Sequence, residues 1–130
     1  MEQKHDILTL DDIKLLVDTF YTRVASDGLL APIFKSRLGD DWQRHLEKMY
    51  TFWQTLLLEE YTYNGRPFPP HAQLPVDAEH FNSWLTLFAA TIDSLFTGPK
   101  ADEAKVRAGK MAEMFQHKIV YIKNHPHNIL

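Results

Sequence analysis

The chain has no cysteine. That excludes disulfides, thiolate metal sites, iron–sulfur clusters and cysteine nucleophiles together. No stretch approaches the roughly 18 consecutive apolar residues of a membrane span, so no membrane association is expected. No basic run occurs, and nucleic-acid binding leaves a basic footprint, so that class is set aside too. The opening MEQKHDILTL lacks a basic segment followed by an apolar one. No signal peptide is expected, and with the missing cysteines this points to a reducing, cytoplasmic location. The P-loop, the dinucleotide fingerprint and the HExxH helix are all absent. Ser26, Ser36, Ser83 and Ser94 stand in no nucleophile-elbow setting.

What remains is a globular composition. With 130 residues, 45% hydrophobic and 24% charged, and a formal charge of −3, the chain is long enough for one core, and a single domain over 1–130 is expected. Aromatic residues reach 12%, and there are seven histidines. Most of the histidines read as surface scatter; His5, His125 and His127 lie near the ends, and His117 reads as surface.

Hydrophobic periodicity is helical nearly throughout, which predicts an all-α fold. Thr9 and Asp12 have the spacing of a capping box, followed by an apolar face of Ile13, Leu16, Val17, Phe20, Tyr21 and Val24. This helix is expected to stop at Asp27-Gly28, with Gly28 taking a left-handed cap. Leu29 to Phe34 contains Pro32 and should supply one helical turn at most. Asp40 or Asp41 opens the next helix, whose inner face reads Trp42, His45, Met49, Phe52, Trp53 and Leu56.

From Glu59 to Pro75 the pattern breaks. Asn64-Gly65 and four prolines (Pro67, Pro69, Pro70, Pro75) forbid a regular helix. Loops this long in small domains are functional or disordered, and Tyr61, Tyr63 and Phe68 argue against disorder. Asp77 starts an amphipathic helix with Phe81, Trp84, Leu85, Phe88, Ile92 and Leu95 inward, ended by Gly98-Pro99. A last helix from about Ala101 to Lys123 should bury Val106, Met111, Met114, Phe115, Ile119 and Ile122. Gly109 inside it weakens the helix or permits a close approach.

Three features survive a search for chemistry. His45 lies on an apolar helix face, His71 on a proline-stiffened loop, and Tyr21 and Trp84 put polar-tipped aromatics among apolar neighbours. Each alone has a bland counterpart: a core histidine bonded to a carbonyl, an exposed loop histidine, aromatic donors satisfied by backbone. Together they describe two imidazoles and two donors around an apolar slot, an arrangement suited to an iron porphyrin. Zinc held by His45 and His71 is a weaker reading, because no third ligand has suitable spacing.

The stretches FYTRV (20–24), PIF (32–34), DDWQRHLEKMYTFW (40–53), YTYNGRPFPPHAQLP (61–75) and HFNSWLTLF (80–88) resemble the truncated haemoglobins, specifically their third group. The other two groups carry paired glycines, and this chain has none. The resemblance implies a shortened globin fold, a two-over-two helical sandwich, holding haem b (iron protoporphyrin IX). It implies His71 as the proximal iron ligand, preferred over His80 because Gln-Leu-Pro follows it and the loop is stiff. Tyr21 and Trp84 match distal hydrogen-bond donors, and His45 the distal histidine. Phe34 matches an aromatic packed on the porphyrin, while Phe20, Met49 and Trp53 match apolar pocket positions. Lys48 matches a cation near a propionate.

The implied function is binding of O2, NO and CO at iron. Oxygen transport, NO-detoxifying chemistry and peroxidase-like chemistry are its possible uses, with a reductase as partner. The alternatives are a haem-based sensor or ligand store without turnover, and a haem-free helical interaction module, in which His45 and His71 would be exposed.

Overall fold

In the computed structural model, which describes residues 3–72 and 74–125, every regular element is helical. The helices are α1 (Leu10–Ala25), α2 (Ala31–Leu38), α3 (Trp42–Leu58), α4 (Ala78–Leu95) and α5 (Pro99–Asn124), with a 3-10 turn at Pro69–His71 before α4. Gln73 of the expected loop motif and His127 lie outside the described residues.

Local chemistry explains most boundaries. Thr9 Oγ1 accepts from the Asp12 amide at 3.2 Å, and the Asp12 carboxylate accepts from the Thr9 amide at 3.1 Å. This reciprocal cap fixes the start of α1, and all six residues of its expected apolar face are buried. Its end differs from expectation. Gly28 takes no left-handed conformation. Instead the Asp27 carboxylate accepts from the amides of Leu29 and Leu30, turning the chain directly into α2. Helix α2 is eight residues long rather than one turn. Pro32 falls in its first turn, where a missing amide costs nothing.

Helix α3 follows Asp41, whose side chain makes no cap bond, and Leu57 rather than Leu56 goes deepest beside Phe52 and Trp53. Asp77 caps α4, with its carboxylate accepting from the Glu79 amide and its own amide donating to His80 Nδ1. Helix α5 departs from the expected face. Ala101, Ala104, Ala108 and Ala112 are buried with Phe115, Ile119 and Ile122. Val106 and Met114 are 55% and 43% exposed. Alanines line the first half of the buried face of α5 and Phe115, Ile119 and Ile122 the second, while Val106 and Met114 turn outward. A side chain at Gly109 would meet nothing within 4 Å, so that glycine permits no close approach.

Helix α1 packs beside α3, and α4 beside α5; α1 crosses onto α4 and α3 touches α5. This is two helices over two. The amino-terminal segment closes the far end. Asp6 accepts from the amides of Lys100 (2.9 Å) and Ala101 (2.8 Å), capping α5 from 94 residues away, and the Thr97 amide donates to His5 O. Gly98, at φ 139°, is required there, because a Cβ would come within 2.5 Å of Asp6 Cγ.

The buried residues form two clusters. The larger joins α1, α3 and α4 around Phe20, Trp53, Phe88 and Ile92. The smaller comprises Val76, Phe81, Ala112, Phe115 and Ile119. Leu85 and Met111, neither fully buried, pack against both.

Candidate functional site

The seam between the clusters gathers most of the residues singled out in the sequence. Phe34, Trp42, Met49 and Trp84 pack against the larger cluster, and Phe68 and Leu74 against the smaller. All are apolar or aromatic, yet only half-buried. Together they form an apolar rim beside the two clusters, a contiguous surface of the kind that binds apolar ligands.

His71 stands on the smaller cluster's side. The 3-10 turn begins at Pro69-Pro70, and its first hydrogen bond runs from the His71 amide to Phe68 O at 2.7 Å. The imidazole lies against Phe115, ring centroids 4.7 Å apart. Nδ1 is 2.7 Å from Pro67 O. A carbonyl can only accept, so Nδ1 carries the proton and Nε2 presents a lone pair. Burial lowers the His71 pKa, against the Pro67 bond, which raises it. The neutral, ligand-competent form is thereby favoured.

His45 belongs to the opposite side. Its ring meets Tyr21 edge-on at 4.9 Å and Phe34 at 6.3 Å. Its Nε2 is buried without a hydrogen-bond partner. Burial pushes its pKa down to about 4, with the charges of His71 and Lys48 adding to the effect. That His71 is felt at His45 puts the two imidazoles within electrostatic reach across the seam. Lys48 itself is exposed at the rim.

Tyr21 is 8% exposed, and burial raises its phenol pKa. Phe20 buttresses both donors, meeting Tyr21 at 5.0 Å and Trp84 at 5.6 Å. Trp84 stacks on Phe88 at 5.2 Å, and Trp53 stacks on the same ring at 5.1 Å. Among the described residues, hydrogen bonds are made by neither the Tyr21 hydroxyl nor the Trp84 indole. Buried polar groups in folded proteins are almost always paired. Among the described residues His45 Nε2 is the one buried side-chain polar atom without a partner; it lies beside the Tyr21 ring, and Phe20 carries the row of rings on to Trp84. A partner for His45 Nε2 must come from outside the described residues, and a small bound ligand fits that requirement. The donor set thus suits a haem: a neutral imidazole with a free lone pair, an apolar rim, and an unpartnered buried nitrogen at His45.

His80 belongs to the first turn of α4, where its Nδ1 joins the Asp77 cap. Among the described residues no group of three metal-ligating side chains comes together, which leaves zinc without its usual ligand count. His45 and His71 are both at least partly buried, against the exposure that an interaction module would give them. Two site residues were not foreseen. Trp42 touches Tyr21 and Phe34, and its place one turn before His45 was the available signal. Phe115 was read only as core, and nothing local in the sequence ties it to His71.

The chain matches the model of the bacterial-like globin family over residues 6–120. It is 31% identical over 126 residues to the group 3 truncated hemoglobin of Campylobacter jejuni, covering 94% of this chain and 99% of that one. It is 37% identical over 82 residues to a group 2 truncated hemoglobin of Bacillus subtilis, 60% of each chain. The crystal structure of the group III truncated hemoglobin from Campylobacter jejuni superposes with a TM-score of 0.82, over 90% of this chain and 95% of that one.

Proposed function

The chain belongs to the bacterial-like globins, as a truncated haemoglobin of the third group, and from that premise we propose that it binds haem b through His71 Nε2 and holds O2, NO or CO beneath Tyr21, Trp84 and His45. Haem-based ligand binding is what the family does. The observation that carries the residue assignment is the buried, unpartnered His45 Nε2 beside Tyr21, within electrostatic reach of a histidine whose tautomer is already fixed.

Haem supplies an iron able to take a small ligand on its open side and to change its charge by one electron. The rest falls to the protein. Pro67 O orients the His71 ring and raises its basicity through the Nδ1 proton. Phe115 supports that ring from the smaller cluster. Phe20, Phe34, Met49 and Trp53 exclude water from the macrocycle, and Lys48 stands at the rim for a propionate.

Tyr21 and Trp84 would donate to a partly negative bound ligand, each bond contributing roughly 1.5–3 kcal/mol. Such bonds act mainly by slowing release. Slow release suits NO-detoxifying or peroxide chemistry, fed by a reductase, better than carriage. We place the protein in the cytoplasm as one domain over 1–130.

The test is the visible spectrum of the purified protein, reduced and then exposed to carbon monoxide, beside His71→Ala. An intense Soret band that shifts with carbon monoxide and is lost or altered in the variant is expected. A colourless protein that takes up no added haemin would overturn the proposal.

A further inference from the structure

The unpartnered His45 nitrogen is not the only ordered feature of the seam. All three tryptophans of the chain lie on one unbroken row of ring contacts. Trp42 meets Tyr21 at 6.3 Å, and Phe20 links Tyr21 to Trp84. Beyond Trp84 the row continues through Phe88. Phe88 lies stacked between Trp84 and Trp53, with interplanar angles of 7° and 23°. Phe52 then joins Trp53 (5.3 Å) to Tyr63 (5.2 Å) in the 59–75 loop.

Readily oxidised rings thus alternate with phenylalanines from the pocket outward, so no hop exceeds two ring spacings. Electron transfer over such distances through packed rings is fast. The row ends where a tyrosyl radical can meet a reductant. Tyr63 is only half-buried, and its hydroxyl lies over Gly65, where a Cβ would come within 2.3 Å of it. Tyr61, two residues away, is 84% exposed.

We propose that Trp84, Trp53 and Tyr63 form a relay carrying oxidising equivalents from the haem pocket to the surface at residues 61–65, where small phenolic donors are oxidised. The relay rests on the haem reading for its source of oxidant, which is a hydroperoxide. The O–O bond of the hydroperoxide breaks as it takes two electrons and two protons, giving an alcohol and water. Each electron leaves Trp84, which is refilled from Trp53 and then from Tyr63. Tyr63 releases its phenolic proton to water and recovers an electron and a proton from the donor. Two passes oxidise two phenols to phenoxyl radicals for each hydroperoxide reduced.

The experiment treats the purified full chain with hydrogen peroxide in the presence of a nitroso spin trap and locates adducts by peptide mass spectrometry. A parallel sample is oxidised by a flash-quenched ruthenium complex, which needs no haem. In both samples the main intramolecular adduct is expected on Tyr63, and Trp53→Phe should lower it by more than half. Tyr63→Phe keeps the ring on Phe52 and guards against misfolding of the Trp53 variant. In it, oxidation products at Trp84 and Trp53 should more than double, while phenol turnover falls. Adducts elsewhere, or a Tyr63 adduct indifferent to Trp53, would overturn the relay. A protein without a Soret band fails the haem reading instead, and the ruthenium sample alone then decides the relay.

Discussion

Tyr21→Phe should make the haem-free chain more stable and the loaded protein a poorer holder of oxygen. The substitution removes one atom. The ring keeps its contacts with Phe20, Phe34, Trp42 and His45, at centroid distances of 5.0, 5.7, 6.3 and 4.9 Å. The lost hydroxyl has no protein acceptor although its residue is only 8% exposed. An unsatisfied buried polar group costs about 1–3 kcal/mol. Because some water reaches this one, the gain on removing it should lie near the lower end, about 1 kcal/mol, or roughly 3–5 °C in Tm for a domain of this size. In the loaded protein the same hydroxyl is the proposed donor to the ligand. Losing about 1.5–3 kcal/mol there should speed oxygen release roughly 10- to 150-fold. The two assays are thermal unfolding of the haem-free chain and stopped-flow displacement of oxygen by carbon monoxide. A Tyr21→Phe protein that is less stable has lost a hydrogen bond the structure does not contain, and unchanged oxygen release would refute the donor role.

Three further outcomes follow from other positions. His45, with its pKa pushed down to about 4, binds its proton more weakly folded than unfolded. Haem-free stability should therefore be full above about pH 6.5 and fall by roughly 2–3 kcal/mol towards pH 4; urea unfolding of His45→Leu should show a flatter profile, with His71, also lowered, retaining part of the slope. Asp6→Ala removes the acceptor for the Ile7, Lys100 and Ala101 amides, and should cost about 1–2 kcal/mol near neutral pH. Burial raises the Asp6 pKa, but those amides and the Lys100 charge bring it below the usual value, so the penalty should vanish as pH falls through the carboxylate range. Gly98→Ala forces a Cβ onto Asp6 at φ 139° and should cost at least about 2 kcal/mol by the same unfolding assay.

The legible parts of this molecule are the local ones. The α1 cap and face involve residues within one or two turns of each other, and all six inward positions were readable from spacing. The end of α1 was placed within two residues, but its cap was misread, because a carboxylate at Asp27, not a glycine, makes the turn. The α5 face was misread because alanine carries little weight in a hydrophobic pattern. Only the packing against α4 shows that small residues belong inside while Val106 and Met114 do not. At the site, the spacing of His45, His71, Tyr21 and Trp84 and the family likeness named the candidates. That His71 leans on Phe115, 44 positions on, and that its tautomer is set by Pro67 O, are facts of assembly.

The tether at Asp6 has a kinetic consequence. Its bonds to Lys100 and Ala101 span 94 and 95 positions and close most of the chain into one loop. Contacts of such sequence separation return their free energy only after the intervening helices have docked. The tether should therefore be absent from the folding transition state and present in the native state. Its contribution then appears almost entirely as slower unfolding, with the folding rate left unchanged. The first residues of the chain, far from the seam, thus govern how long an assembled molecule persists rather than how quickly it forms.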